Sequence, residues 1–149
     1  MILPKIRDPR FVTVRRGGTL TDLDHVRLTN LIRRDHPNGL PPSTTQDMED
    51  TLDACTVVPA RQVSPDVVTM HTQVLLLDRD SGERSDVTLC YPADAEPADG
   101  FISVLSPLGW SLLGLCVGQL AHWSTPGGER AAEVVAILFQ PESSGDYSM

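Results

Sequence analysis

A glycine-rich stretch in the second half of the chain, SPLGWSLLGLCVGQLAHWSTPGGE (106–129), has the residue types for phosphate binding or nucleophilic catalysis. A Walker-type phosphate loop requires G-x-x-x-x-G-K-[ST], and this stretch contains no lysine. Its glycine spacing does not fit G-x-G-x-x-G, and GWSLL (109–113) ends in leucine where the nucleophile turn G-x-S-x-G needs glycine. The stretch therefore predicts helix ends and turns, with Gly127 and Gly128 in a hairpin.

Metal-binding and catalytic patterns elsewhere in the chain are also incomplete. The turn DRDSGE (78–83) starts like a calcium loop, but Leu89 occupies the position where that loop needs glutamate. A Ser–His–acid triad can be assembled from Ser106 or Ser111 with His122, but the sequence carries no geometry for it. The histidines have no i, i+3 or i, i+4 spacing, which argues against zinc. They are His25, His36, His71 and His122. The sequence predicts no metal, no cofactor and no enzymatic activity.

The charge of the chain is unevenly distributed. Residues 1–34 contain Lys5 and seven arginines against three aspartates, which gives 8 − 3 = +5. The rest has four arginines against 17 acids, or −13, so the total is −8. An acidic body repels phosphate backbones, which argues against direct nucleic-acid binding. The basic amino-terminal segment is either a contact for an acidic partner or a solvated face.

The composition indicates a globular protein with one ordinary domain, or a small domain with an appendage. The chain has 149 residues, 40% of them hydrophobic and 21% charged. No apolar run of about 18 residues suggests a membrane span, and the first residues make a poor signal peptide. Three cysteines without a CxxC spacing predict reduced thiols and a cytoplasmic location. They are Cys55, Cys90 and Cys116.

An amphipathic helix is predicted in residues 19–36. Four leucines lie on one side at 100° per residue, whereas Asp24 lies off that stripe. The leucines are Leu20, Leu23, Leu28 and Leu31. Thr21 is suited to cap the start of the helix, and HPNGLPPS (36–43) ends it.

A second helix is predicted to follow directly. Ser43 and Gln46 form a capping-box pattern at its start. Its apolar face consists of Met48, Leu52 and Cys55. Because the connection is short, the two helices are expected to be antiparallel neighbours.

From Ser64 onward the hydrophobic period changes from about 3.6 to about 2 residues, which indicates strands. The strand candidates lie within 66–78, 84–92, 100–106 and 119–140, with a short helix at 106–115. His71 and His122 fall on strand patterns and are expected to be partly buried. The closing segment contains two strands joined by the turn TPGGE (125–129). This order predicts an α+β fold with a curved antiparallel sheet, followed by a polar, turn-rich tail.

A series of ordered motifs resembles the carboxy-terminal domain of the Gre transcript-cleavage factors. The motifs are DSGE, GFISVLSP, SPLG, LLG, VG and TPGGE, within about residues 66–139. Within that group the chain resembles most the regulator of nucleoside diphosphate kinase family. SPDVVTMHTQV (64–74), FQPESSGDY (139–147) and GLP (39–41) are features of this branch and extend the resemblance over most of 19–147.

The resemblance implies a short antiparallel helical hairpin at 19–63 and an FKBP-like domain at 64–149, and it leaves the basic segment at 1–18 uncovered. It further implies binding to RNA polymerase at the rim of the secondary channel, in competition with Gre factors. The partner-binding residues it implies are Ser106 and Pro107, and the apolar residues beside them complete the predicted site, namely Leu105, Leu108 and Leu112. Leu105 stands where Gre factors often have Asn or Asp. A helix start also presents unpaired N–H groups to a partner.

The helical pair lacks what Gre factors use for transcript cleavage, which is a long finger with acidic residues at its tip. The first helix here has about 15 residues, or about 22 Å. Its tip is formed by Arg33, Arg34, Asp35 and His36, with Asp35 as the only acid. We therefore predict no stimulation of transcript cleavage.

Two other functions remain open at this level. The family name suggests direct modulation of nucleoside diphosphate kinase, although an effect on kinase levels through transcription would give the same phenotype. An FKBP-like fold also admits prolyl isomerase or chaperone activity, although fold alone is a weak argument for function. The isomerase pocket of FKBPs is lined with aromatics, and only 5% of this chain is aromatic, with tryptophans at 110 and 123.

Overall fold

The computed structural model describes residues 18–35 and 42–147. The helices are α1 (Asp22–Asp35), α2 (Pro42–Ala54) and α3 (Pro107–Leu112). The strands are β1 (Thr19–Thr21), β2 (Thr56–Val58), β3 (Gln73–Asp78), β4 (Arg84–Cys90), β5 (Phe101–Ser103), β6 (Leu120–Thr125) and β7 (Gly128–Phe139). Short 3₁₀ turns lie at Ala60–Gln62, Pro92–Asp94, Pro97–Asp99 and Glu142–Ser144. None of the described helices is long and apolar enough to cross a membrane.

Helix α1 starts as predicted and buries a different face. The Thr21 hydroxyl accepts the N–H of Asp24 at 3.1 Å, which caps the first turn. Leu28 and Ile32 are fully buried, whereas Leu23 and Leu31 are only partly buried. Asp24 was predicted to lie off the apolar stripe, but it is buried one turn before Leu28. The prediction was wrong because, at 100° per residue, Asp24 lies about 40° from Leu20 and therefore on the stripe. A backbone N–H elsewhere in the chain provides its carboxylate with a buried partner.

Helix α2 begins at Pro42, so Ser43 lies inside the first turn and is not the predicted cap. Proline suits the first position of a helix because its missing N–H has no partner to lose there. Met48 and Leu52 are buried as predicted, while Cys55 follows the end of the helix.

The two helices contact each other along their length. Nε2 of His25, near the start of α1, lies 3.2 Å from the carbonyl oxygen of Leu52, near the end of α2. Arg33, in the last turn of α1, pairs with Glu49 at 3.4 Å. Strands β1 and β2, which were not predicted, pair in parallel and so join the start of α1 to the end of α2. We call β1, α1, α2 and β2 together the helical unit.

The main sheet has five strands in the order β5-β4-β3-β7-β6. The predicted hairpins β3–β4 and β6–β7 are confirmed. The expectation of an antiparallel sheet was wrong for β5, which pairs in parallel with β4. Parallel neighbours need a crossover, and residues 91–100 provide it with two 3₁₀ turns.

Strand β3 starts at Gln73 and not at residue 66, because residues 69–72 form a tight buried turn. The N–H of Thr72 donates to the Thr69 carbonyl oxygen at 3.1 Å, and the N–H of Thr69 donates to the Thr72 hydroxyl. His71 therefore lies in a turn with φ of 67°, and not on a strand as expected. Its N–H donates to the carbonyl oxygen of Leu89 on β4 at 2.7 Å.

A single hydrophobic core joins the helical unit to the sheet and to α3. Its fully buried members include Leu20, Leu28, Ile32 and Leu52 from the helical unit, Val74, Leu89 and Val134 from the sheet, and Leu112 and Leu113 from α3 and its end. Burial of each such side chain stabilises the fold by about 1.5–3 kcal/mol. The surface loop before α3 therefore lies directly beside the hydrophobic core.

Candidate protein-binding site

The loop between β5 and α3 is organised by the side chain of Ser106. The Ser106 hydroxyl accepts the N–H of Gly109 at 3.0 Å and donates to the carbonyl oxygen of Ser103 at 2.6 Å. The N–H of Trp110 donates to the Ser106 carbonyl oxygen at 2.9 Å. Pro107 follows at the first helical position, where its fixed φ favours the helix. The loop is thus held in one conformation by local bonds.

Gly109 allows α3 to approach the end of β5 closely. A β-carbon on this residue would lie 1.9 Å from the Ser103 carbonyl oxygen and 2.8 Å from its carbonyl carbon. Any side chain at this position would separate the helix from the strand. Glycine inside a helix normally costs about 1 kcal/mol relative to alanine. Its presence in this short predicted helix therefore indicates, from the sequence alone, that another part of the backbone packs closely against the helix.

The structure brings four of the five predicted partner-binding residues together at the surface. Pro107 is exposed, and Leu105, Ser106 and Leu108 are partly exposed. Leu112 is fully buried, so it supports the loop from the core and has no surface to offer a partner. We call residues 105–108 the docking loop.

The docking loop offers an apolar and uncharged surface. Its four residues carry no ionisable side chain, and Leu105 and Leu108 also pack against the core. The predicted unpaired N–H groups are largely used within the chain, because Ser106 accepts those of Gly109 and Trp110 and proline has none. Recognition here would depend on shape and apolar contact with another protein.

The predicted tip residues lie at the end of α1 that is farther from strand β1. Arg33 is exposed and pairs with Glu49, and Arg34 and Asp35 end α1. His36 lies outside the described residues. Within residues 18–35 and 42–147, no group of three His, Cys, Asp or Glu side chains could hold a metal ion.

Replacing Ser106 with alanine is expected to lower the free energy of unfolding by about 1 kcal/mol, because an N-cap is lost. The measurement is urea unfolding followed by circular dichroism. Ser106→Thr retains the hydroxyl and is the matched control. Equal stability of the alanine variant and the parent would show that the cap does not hold the loop.

Comparison with known proteins covers both the helical unit and the sheet. The family model described as "Transcription elongation factor, GreA/GreB, C-term" matches residues 62–139. A "Regulator of nucleoside diphosphate kinase" of Escherichia coli (strain K12) is 36% identical over 129 residues, which cover 86% of this chain and 93% of that protein. A "Transcription elongation factor GreA" of Desulfotalea psychrophila is 37% identical over 110 residues, covering 74% of this chain and 65% of that protein.

A solved structure supports the same relationship. The "Prokaryotic transcription elongation factor GreA/GreB from Nitrosomonas europaea" superimposes with a TM-score of 0.69 at 32% sequence identity. The superposition covers 83% of this chain and 100% of that one. The mixed α+β architecture with a curled sheet is therefore shared with a Gre-type protein.

Proposed function

The chain belongs to the regulator of nucleoside diphosphate kinase family and carries the GreA/GreB carboxy-terminal domain, and from this we propose that it binds RNA polymerase as a transcription regulator. The docking loop holds the rim of the secondary channel, and the protein competes there with Gre-type factors. The observation that carries this proposal is the Ser-Pro helix start on a Gre-type domain, where Ser106 is partly exposed and caps the helix and Pro107 is exposed. In this proposal the protein is a bacterial, cytoplasmic regulator and not an enzyme.

The proposal includes a finer description of the architecture. The domain that carries the docking loop is FKBP-like, and α1 and α2 form an antiparallel coiled-coil hairpin beside it. Helix α1 has 14 residues, about 21 Å at 1.5 Å per residue. A hairpin this short, with Arg33 and Arg34 in its last turn, is not suited to deliver a metal ion with paired carboxylates. The protein therefore occupies the channel entrance without stimulating transcript cleavage.

The test of this proposal is binding to purified core RNA polymerase, with a Gre factor as competitor. Pro107→Asp is expected to weaken binding at least about tenfold, because it places a charge on the apolar docking loop. Aspartate is favourable in the first turn of a helix, so the fold is retained. Pro97→Asp changes another exposed proline, at the start of a short 3₁₀ turn, and should bind like the parent.

Three outcomes would contradict the proposal. They are no binding at micromolar polymerase, binding that a Gre factor does not displace, and unchanged affinity of Pro107→Asp. Cleavage of backtracked complexes above background would contradict the predicted absence of cleavage activity.

A second candidate is direct modulation of nucleoside diphosphate kinase, which the name of the Escherichia coli relative suggests. Mixing the protein with purified kinase separates the two routes. A change in kinase rate or a stable complex in the absence of transcription would support this second route.

A further inference from the structure

The carboxy-terminal residues 140–147 lie along the segment that connects the helical unit to the sheet. We call residues 140–147 the strap and residues 59–68 the linker. The amide nitrogen of Gln140 donates to the carbonyl oxygens of Ser64 at 2.9 Å and Val67 at 2.8 Å. At the other end of the strap, the guanidinium of Arg61 lies 4.7 Å from the centre of the Tyr147 ring. The strap thus holds the linker at both ends.

The strap also holds the buried turn that receives helix α1. Oε1 of Glu142 accepts the hydroxyl of Thr69 at 2.8 Å, across 73 residues of sequence. The next residue, Met70, donates its N–H to the Asp24 carboxylate of α1 at 3.1 Å. One short turn is therefore bonded to the strap on one side and to the helical unit on the other.

The anchor of the strap belongs to the folded body of the protein. Gln140 is 3% exposed, and Pro141 beside it is also buried. A buried amide that satisfies two carbonyl groups is costly to remove, because both acceptors lose their partner. Two further contacts of the strap, at Glu142 and Tyr147, are side-chain contacts that can be removed without disturbing this anchor.

The match to the GreA/GreB carboxy-terminal family model ends at residue 139, directly before the strap. We propose that the strap positions the helical unit relative to the docking loop, with Glu142 and Tyr147 as its positioning residues. The shared core holds the helices against the sheet, and their orientation is then adjusted by a segment that lies beyond the matched residues 62–139. The consequence for polymerase, that this orientation directs the helices into the channel entrance, rests on the proposed function.

The experiment measures the orientation in the full chain without any partner. Spin labels are attached at Asp50→Cys on α2 and Ser81→Cys in the β3–β4 turn, both exposed positions. Cys55 and Cys116 are replaced by serine, and Cys90, which is 2% exposed, is retained. Dipolar spectroscopy then gives the distance distribution between the helical unit and the sheet.

The double variant Glu142→Ala/Tyr147→Ala is expected to shift the distribution or broaden it about twofold, because two of the contacts that fix linker and turn are lost. The matched control, Glu83→Ala/Tyr147→Phe, removes one carboxylate and retains the ring, and should match the parent. Urea unfolding confirms that both variants are folded. A distribution in the double variant identical to that of the control would overturn the inference.

Polymerase binding is measured separately on the parent protein. If the distribution changes and the parent does not bind polymerase, the positioning role stands and the proposed function fails. If the parent binds and the distribution is unchanged, the proposed function stands and the positioning role fails.

Discussion

Replacing Gly109 with alanine is expected to lower the free energy of unfolding by about 2 kcal/mol. Two effects of opposite sign compete at this position. Alanine favours a helix by about 1 kcal/mol over glycine. The added β-carbon, however, would lie 1.9 Å from the Ser103 carbonyl oxygen, a backbone atom that cannot rotate away. Overpacking of this kind costs about 1–3 kcal/mol and sometimes more, so the clash dominates.

The matched control for Gly109→Ala is Gly127→Ala. A β-carbon at Gly127 would meet only the Thr125 hydroxyl at 3.7 Å, an ordinary contact, and its φ is not positive. The control variant should stay within about 0.5 kcal/mol of the parent. Urea unfolding of all three proteins measures the difference. Equal stability of Gly109→Ala and the control would mean that α3 does not pack against β5 as described.

Acidification from pH 7 to pH 4 is expected to stabilise the protein through Asp24. Burial is the main cause that raises the pKa of Asp24 to about 6 from 3.8, and the nearby Glu142 adds to it. Three groups lower the pKa of Asp24 by less than burial raises it: the Met70 N–H, the Thr21 side chain and Arg27. Because the folded protein binds this proton more tightly than the unfolded chain, stability rises as pH falls through about 6 and levels off near 4. The difference of about two pH units corresponds to about 3 kcal/mol.

Comparison with the variant Asp24→Asn isolates the contribution of Asp24 to the pH dependence of stability. Other carboxylates contribute with the opposite sign and lower the stability in acid. Asp78, for example, has a pKa lowered by the N–H groups of Ser81 and Asp80, so its contribution is lost in acid. Asparagine can still accept the Met70 N–H but does not titrate. The stability of the parent relative to Asp24→Asn should therefore rise by about 2 kcal/mol between pH 7 and 4, because the unfolded chain is itself partly protonated at pH 4.

The control for this series is Asp22→Asn, which removes an exposed carboxylate from the same turn of α1. Because Asp22→Asn keeps the Asp24 carboxyl group, its stability should rise between pH 7 and pH 4 as much as that of the parent does. Stability curves of the parent and Asp24→Asn that run parallel across this range would contradict the assignment of a proton to Asp24.

Features with short-range causes could be predicted from the sequence. The turn between β3 and β4 forms because an Asp78 oxygen accepts the N–H groups of Asp80 and Ser81, and Gly82 has φ of 75°. The start of α3 follows from the serine cap and the proline after it. In each case the interacting groups are within about four residues, so the sequence alone specifies them.

The docking loop was only partly predictable. Its position followed from the Ser-Pro pattern and the family resemblance. The burial of Leu112 did not, because Leu108 and Leu112 lie on the same face of a helix and only the neighbouring sheet determines which one is covered. Glycine at position 109 likewise has no local explanation, since its cause is a strand end six residues earlier in the chain.

By itself the sequence determined the strands that form hairpins, the cap of α1, the position of α3, and membership of a family. Only the tertiary structure decided that Asp24 is buried, that β5 is parallel to β4, and that the tail is a strap. Asp24 meets its partner 46 residues away, and Glu142 meets Thr69 73 residues away. The helical period places Asp24 on the apolar face of α1, but the polarity of an aspartate argues for exposure unless a buried partner exists. That partner is known only once distant segments have been brought together.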